Sequence, residues 1–312
     1  MDNYETIMQC IKESDYTYAI CVWPKASDIK LRTAVEEKIK DFCNIIYKTE
    51  MSFNSRSFYN FIIQFKEKRI NIAKINSFNR YKLIRIYWKK GKSTLIYFIT
   101  VSDFEIYKNL EKEIKSELLL EDNLVYFTHS YNETLLISGI VLNRNSMDLI
   151  IKGNPSKYAT LNILIENFKH EVIKEEKNLN DFIVDSSAVM GLYGLREIHD
   201  LDYLTFTENY LDSNINSIEE HSAYLKYHQK SLNELLYDSD NYLFYNSVKF
   251  ISLHQAKQFK LNRAEKKDLN DVRLINSFYQ NDIDLFCFIY KTKSSIKYIL
   301  NRIKIKIRKH LL

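Results

Sequence analysis

Apolar positions along this 312-residue chain recur with two periods, and the switches between them mark out its elements. The runs "YTYAICVW" (16–23), "KLIRIYW" (82–88) and "STLIYFITV" (93–101) crowd β-branched and aromatic residues together and predict strands. "LRTAVEEKIKDFCNIIYK" (31–48) and "SDFEIYKNLEKEIKSELL" (102–119) space apolar residues by three and four. They predict amphipathic helices, the second started by Ser102 or Asp103. "NLVYFTHSYNETLLISGIVLNRNSMDLI" (123–150) predicts a short strand, a turn through His129 to Asn132, and a helix opened by Ser130 or Asn132. Capping is enough to explain the polar start at Glu133 and Thr134.

The pattern breaks at "KGNPSK" (152–157), where Gly153, Asn154 and Pro155 fall together. Beyond it, "TLNILIENFKHEVIKEEKNLN" reads as a helix, "DFIVD" as a strand, "SSAVMGLYGL" as a turn and a small-residue helix, and "HDLDYLTFT" as a second strand. "NINSIEEHSAYLKYHQKSLNELLYD" reads as helical, capped near Asn216 or Ser217. "NYLFYNSVKFISL" reads as a hairpin turning at Asn246 and Ser247, and "SLHQAKQFKLNRAEKKDLNDVRLINSFY" as closing helices. The expected class is α/β in the α+β sense. A mixed α/β domain of unassigned role spans 1–155, a mixed sheet flanked by helices spans 156–285, and a C-terminal helix spans 286–312.

Composition changes this picture in three ways. A 46% hydrophobic content with only five Gly and two Pro supports folded cores and leaves no room for long flexible linkers. Cys10, Cys21, Cys43 and Cys287 lack metal-type spacing and fit free thiols in a reducing cytosol. The acidic start "MDNYETIMQC" argues against a secretory signal, so a cytoplasmic location is expected. The net charge of +5 is a property of the tail. Lys291, Lys293, Lys297, Arg302, Lys304, Lys306, Arg308 and Lys309 follow the last acid, Asp284, and the rest of the chain carries 37 bases against 40 acids. In that tail Ile296, Ile299, Leu300, Ile303 and Ile307 recur at helical spacing between the bases. Such a helix fits three settings: docked on the core, peripheral on the anionic inner membrane face through residues 291–312, or against nucleic acid.

The stretch "DSSAVMGLYGLREIHDLDYL" (185–204) spends two of the five glycines in four positions and then places two aspartates one residue apart. On a strand, Asp200 and Asp202 point to one face while Leu201 and Tyr203 point to the other. Paired carboxylates suit magnesium (Mg²⁺), and a Ser-Ser turn opening a helix offers hydroxyls and unpaired N–H groups to a phosphate. His199, His221 and His228 are candidates for proton transfer, with surface or cap roles as the alternative. The aromatics of "SAYLKYHQK" fit either base stacking or the apolar face of a helix.

These residues resemble the DNA polymerase beta-like nucleotidyltransferase superfamily, in which a Gly-Ser turn opens a helix and an Asp-x-Asp strand follows. They are most similar to its aminoglycoside-nucleotidyltransferase-like and abortive-infection-type members. "KFISLHQAKQFKLNRAEKKDLNDVRLI" adds a matching basic helix and Lys-Asp-x-x-Asp segment, so the resemblance covers roughly 160–280. It implies that Asp200 and Asp202 are catalytic and hold the metal. Ser186 and Ser187 would meet the nucleotide phosphates, and Arg196 would orient the turn or touch phosphate. Lys260, Arg263 and Lys267 would lie near the triphosphate, with Asp268 and Asp271 holding their helix. The implied activity is Mg²⁺-dependent transfer of a nucleotidyl or related phosphoryl group from a nucleoside triphosphate or other nucleotide-activated donor to a small hydroxylated acceptor, with surface-polysaccharide biosynthesis as the setting suggested by the tail. The alternatives are a catalytically inactive binding or regulatory protein, and an RNA- or toxin-system nucleotidyltransferase. This chain departs from the pattern twice. Ser186 replaces the glycine, and "NYLFYNSVKFISL" lacks a third carboxylate, with only Asp238 or Asp240 just ahead of it.

Overall fold

A computed structural model describes residues 4–14, 16–26, 29–65, 77–117, 124–212 and 217–280. The basic segment 291–312 and Cys287 lie outside the described residues. The chain is mixed α+β and divides into two compact units, 1–151 and 152–312.

The first unit runs α1 (Tyr4–Glu13), β1 (Thr17–Val22), α2 (Ile29–Phe42), β2 (Asn44–Ser52), α3 (Ser55–Phe65), α4 (Ser77–Tyr87), β3 (Ser93–Thr100), α5 (Phe104–Glu117), β4 (Val125–Phe127), α6 (Tyr131–Leu142) and α7 (Arg144–Lys152). Its strands lie in the order β2-β3-β1-β4, every neighbour antiparallel, so that β1-α2-β2 and β3-α5-β4 interleave as a split βαβ pair. Period-2 alternation sends Tyr18, Ile20 and Val22 to the face covered by α2 and α5. There they meet Leu95, Tyr97 and Ile99 from β3 and Val35, Ile39, Leu110 and Ile114 from the helices. Beyond β1, Trp23 is ringed by Phe58, Phe61 and Phe65 of α3, Tyr87 of α4 and Tyr126 of β4. The expected caps are present: Ser130 accepts from Glu133 N, and Asp103 from Ile106 N.

Two expectations here are corrected. The helix read through Lys48 ends at Phe42, and "NIIYKTEMS" pairs with β3 as an edge strand. "KLIRIYW" falls in α4, a helix that buries Leu83 and Tyr87 one turn apart.

The second unit runs α8 (Ala159–Lys174), β5 (Phe182–Val184), α9 (Ser187–Leu192), β6 (Leu201–Thr205), β7 (Ile218–Glu220), a 3-10 helix (Ser222–His228), α10 (Leu232–Tyr237), β8 (Tyr242–Tyr245), β9 (Val248–Ile251), α11 (Leu253–Arg263) and α12 (Lys266–Gln280). The sheet order is β7-β6-β5-β9-β8, with β5 antiparallel to β6, β5 parallel to β9 and β6 parallel to β7. The β8–β9 hairpin turns through Asn246 and Ser247, both at positive φ, as its sequence predicts. The segment read as one helix from 214 to 238 instead supplies β7, the 3-10 helix and α10, the last opened by a Ser231–Glu234 capping box. Among the described residues no single helix is long and apolar enough to cross a membrane.

Candidate functional site

The two glycines of the 185–204 stretch have separate reasons. A Cβ on Gly191 would press on Ile198 and Leu161 at 3.2 and 3.3 Å, so this position lets α9 pack closely. Gly194 has φ +69, and a Cβ there would lie 3.0 Å from the Asn154 Cβ. Lys157 Nζ donates to the Gly194 carbonyl at 2.7 Å, so the turn is tied to the start of the unit.

At the end of β5 the chain turns sharply into α9 through Ser186, with φ 58 and ψ −114. That is glycine territory occupied by a serine, a strain of about 1–3 kcal/mol. Ser186 N donates to the preceding carboxylate, Asp185 Oδ1, and Ser187 at the start of α9 accepts from Arg196. With six residues, α9 brings few aligned peptide dipoles to this turn.

Opposite the turn, Asp185 N donates to Asp202 O at 2.8 Å, which brings the β5 end to the start of β6. Leu201 and Tyr203 are buried, Asp202 is half-buried and Asp200 is exposed, so the alternation expected from the sequence is present. The strand beside β6 is β7, not the β8–β9 hairpin, and its Glu219 lies directly across from Asp202 in parallel register and so on the same face. Burial pushes the Asp202 carboxyl up to about 6. The His221 charge opposes that rise, and Asp200, Asp185 and Glu219 add to it. Mg²⁺, which uses one or two carboxylates and fills its shell with water or phosphate oxygens, suits a half-buried carboxylate crowded by other acids. No group of three or more His, Cys, Asp or Glu side chains among the described residues is arranged as a ready-made metal site.

Beneath this face lies a buried cluster that the sequence pattern does not announce. Asp185 is fully buried, and its Oδ2 accepts from His221 Nδ1 at 2.7 Å and His228 Nε2 at 3.2 Å. Burial opposes ionisation of Asp185, but His228 and His221 outweigh it and hold the carboxyl below the usual range. His221 answers in kind. Burial lowers it, Asp185 and Asp202 more than compensate, and its pKa is raised despite Arg263 nearby. Gln255 Nε2 approaches His228 Nδ1 at 3.3 Å and donates to the His228 carbonyl at 3.0 Å, which leaves Nε2 to face Asp185. Of the histidines considered from sequence, His221 and His228 converge here, whereas His199 is exposed.

The basic helix is placed differently from a row of free phosphate ligands. Lys260 is 1% exposed and pairs with Asp271 at 2.8 Å and Asp268 at 3.4 Å. Arg263 grips Asp268 with two bonds, Nε to Oδ2 at 2.7 Å and Nη2 to Oδ1 at 2.8 Å, while Arg196 Nε lies 3.6 Å from Asp271. These charges are already matched by Asp268 and Asp271, so the Lys-Asp-x-x-Asp segment acts as a clamp between α11 and α12. Lys267 extends into solvent beside Glu265. Asp238 and Asp240 sit at the turn before β8, where Asp238 Oδ1 accepts from Asp240 N.

No protein-family model, curated protein or solved structure matches this chain. Fold and site together define an α+β protein whose second unit carries an acidic strand pair over a buried Asp-His-His cluster.

Proposed function

We propose that the second unit is an Mg²⁺-dependent nucleotidyltransferase that moves a nucleotidyl, or related phosphoryl, group from a nucleoside triphosphate to a small hydroxylated acceptor. The observation that carries this reading is the half-buried Asp202, flanked by Asp200 and Glu219 across two adjacent strands and set beside the strained Ser186 turn. Asp200 and Asp202 would hold the metal, with Glu219 across the strand as an additional carboxylate. Bound Mg²⁺ would neutralise phosphate charge. In the transfer, an acceptor hydroxyl oxygen forms a bond to the α-phosphorus as its proton is lost to solvent, the bridge to the β-phosphate breaks, and pyrophosphate leaves with its electron pair. Ser187 would offer its hydroxyl at the turn, its direction fixed by Arg196, which donates to it, whereas Ser186 is buried and would meet a phosphate only if the turn shifts. The setting suggested by the basic 291–312 segment is surface-polysaccharide assembly at an inner membrane face.

A second reading, a nucleotide-binding or regulatory protein without transfer, is favoured by one observation: Lys260 and Arg263 are committed to Asp268 and Asp271. Calorimetric titration of each nucleoside triphosphate, with and without Mg²⁺, into the wild type and an Asp200→Ala/Asp202→Ala variant tests the site. Metal-dependent binding by the wild type alone is expected; equal binding by both proteins would remove these aspartates from it. Pyrophosphate release on adding candidate hydroxylated acceptors then separates transfer from binding alone.

A further inference from the structure

Next to the acidic face, the 3-10 helix Ser222–His228 presents an aromatic surface that the proposed metal site does not use. Tyr224 is 40% exposed, and its ring stacks on His221 with centroids 4.3 Å apart and planes 28° from parallel. That stack has fixed support. His221 is held by Asp185 through Nδ1 and by the Tyr203 carbonyl through its backbone N–H at 2.8 Å, and Tyr224 N donates to the His221 carbonyl at 3.0 Å. The guanidinium of Arg263 lies 5.7 Å from the Tyr224 ring centroid and is itself locked on Asp268. A ring stacked on an imidazole, with a guanidinium near it, keeps its exposed part in a fixed place. Its order is already in place before any ligand arrives.

We infer that Tyr224, braced by His221 and Arg263, is the platform on which the nucleobase of the nucleotide substrate stacks. The inference rests on the nucleotidyltransferase reading, and it names the part of the substrate that the carboxylates cannot recognise. His221 links the two regions, since its backbone N–H donates to the carbonyl of Tyr203, the residue after Asp202, while its ring carries Tyr224. Stacking uses the π face common to all bases, so the platform favours nucleotides over free phosphates without choosing strongly among the four bases.

The test is calorimetric titration, with Mg²⁺ present, of the four nucleoside triphosphates and of inorganic triphosphate into the full-length wild type, Tyr224→Ala, Tyr224→Leu and Tyr224→Phe. Tyr224→Leu keeps an apolar group on His221 without a π face, and so guards against a folding defect in the alanine variant. The wild type is expected to bind each nucleotide more tightly than inorganic triphosphate. Alanine and leucine should weaken nucleotide binding by roughly fivefold or more and leave inorganic triphosphate unchanged, while phenylalanine retains the wild-type pattern. Nucleotide affinities unchanged in Tyr224→Ala and Tyr224→Leu would overturn the platform and leave the nucleotidyltransferase reading standing. An equal loss for inorganic triphosphate, or a loss in Tyr224→Phe, would also overturn it. No nucleotide binding by the wild type would overturn both.

Discussion

Ser186 and Gly194 flank α9 with the same sign of φ, and mutation should act in opposite directions at the two positions. At Ser186 a side chain sits where glycine belongs. Ser186→Gly relieves about 1–3 kcal/mol of strain and gives back about 0.4–1 kcal/mol of that through a freer unfolded chain, so a net gain of about 1 kcal/mol is expected. At Gly194→Ala both contributions that matter are unfavourable. The positive φ is strained for alanine, and its Cβ meets Asn154 at 3.0 Å, so a loss of about 1–3 kcal/mol is expected. Urea unfolding of the two variants beside the wild type reads both signs, and shifts in the same direction would contradict this account of the turn. The turn at Gly194 was not legible from spacing, because the run "SSAVMGLYGL" reads as a helix through it, whereas α9 ends at Leu192. The positive φ at Ser186 was not legible either, because nothing in a serine announces that its neighbours on β5 and α9 force it there.

At the scale of elements, the α11–α12 clamp sets a sharper expectation. Asp268 is fully buried and satisfies both Arg263 and Lys260, so Asp268→Ala strips Arg263 of its two-bond partner in the interior, while Lys260 keeps Asp271. A loss of about 3–5 kcal/mol is expected, read as a lower denaturant midpoint at unchanged slope. A cost under about 1 kcal/mol would show that Lys260 and Arg263 reach solvent or a ligand instead. Sequence pattern supplied both helices and the hairpin before them, but it failed at three joints. "KDFCNIIYK" carries helical spacing straight into β2, because the break at Cys43 uses neither Gly nor Pro. "KLIRIYW" has strand composition, yet its buried residues, Leu83 and Tyr87, follow a helical period. The run from Ile218 reads as helix because three residues of β7 are too few to show alternation.

For the whole molecule, the buried Asp185 cluster ties stability to pH through two opposite signs. The Asp185 pKa is lowered on folding, so its contribution is present above its ordinary value of 3.8 and is lost as pH falls below it. The His221 pKa is raised, so its contribution is complete below 6.5 and is lost as pH rises through the folded value. Asp202, raised to about 6, binds its proton more tightly when folded, and so its ionisation also costs stability between pH 3.8 and 6. Urea midpoints measured from pH 3 to 9 should therefore decline above about pH 6.5 in the wild type, and His221→Gln should flatten that limb. An unchanged slope would mean that His221 titrates as it does in the unfolded chain. The α+β class and the alternation of exposed Asp200, buried Leu201, half-buried Asp202 and buried Tyr203 were readable from periodicity. The cluster was not, since Asp185 meets its histidines across separations of 36 and 43 residues that no local pattern encodes.

β7 closes one side of the second sheet with three residues, two of them glutamates. A free strand edge invites another chain to extend the sheet, and a short edge bearing adjacent like charges is a poor template for that growth. A second copy docking there in register would set carboxylates against carboxylates. The residues that crowd Asp202 with negative charge therefore also help to keep each molecule from polymerising through its own sheet.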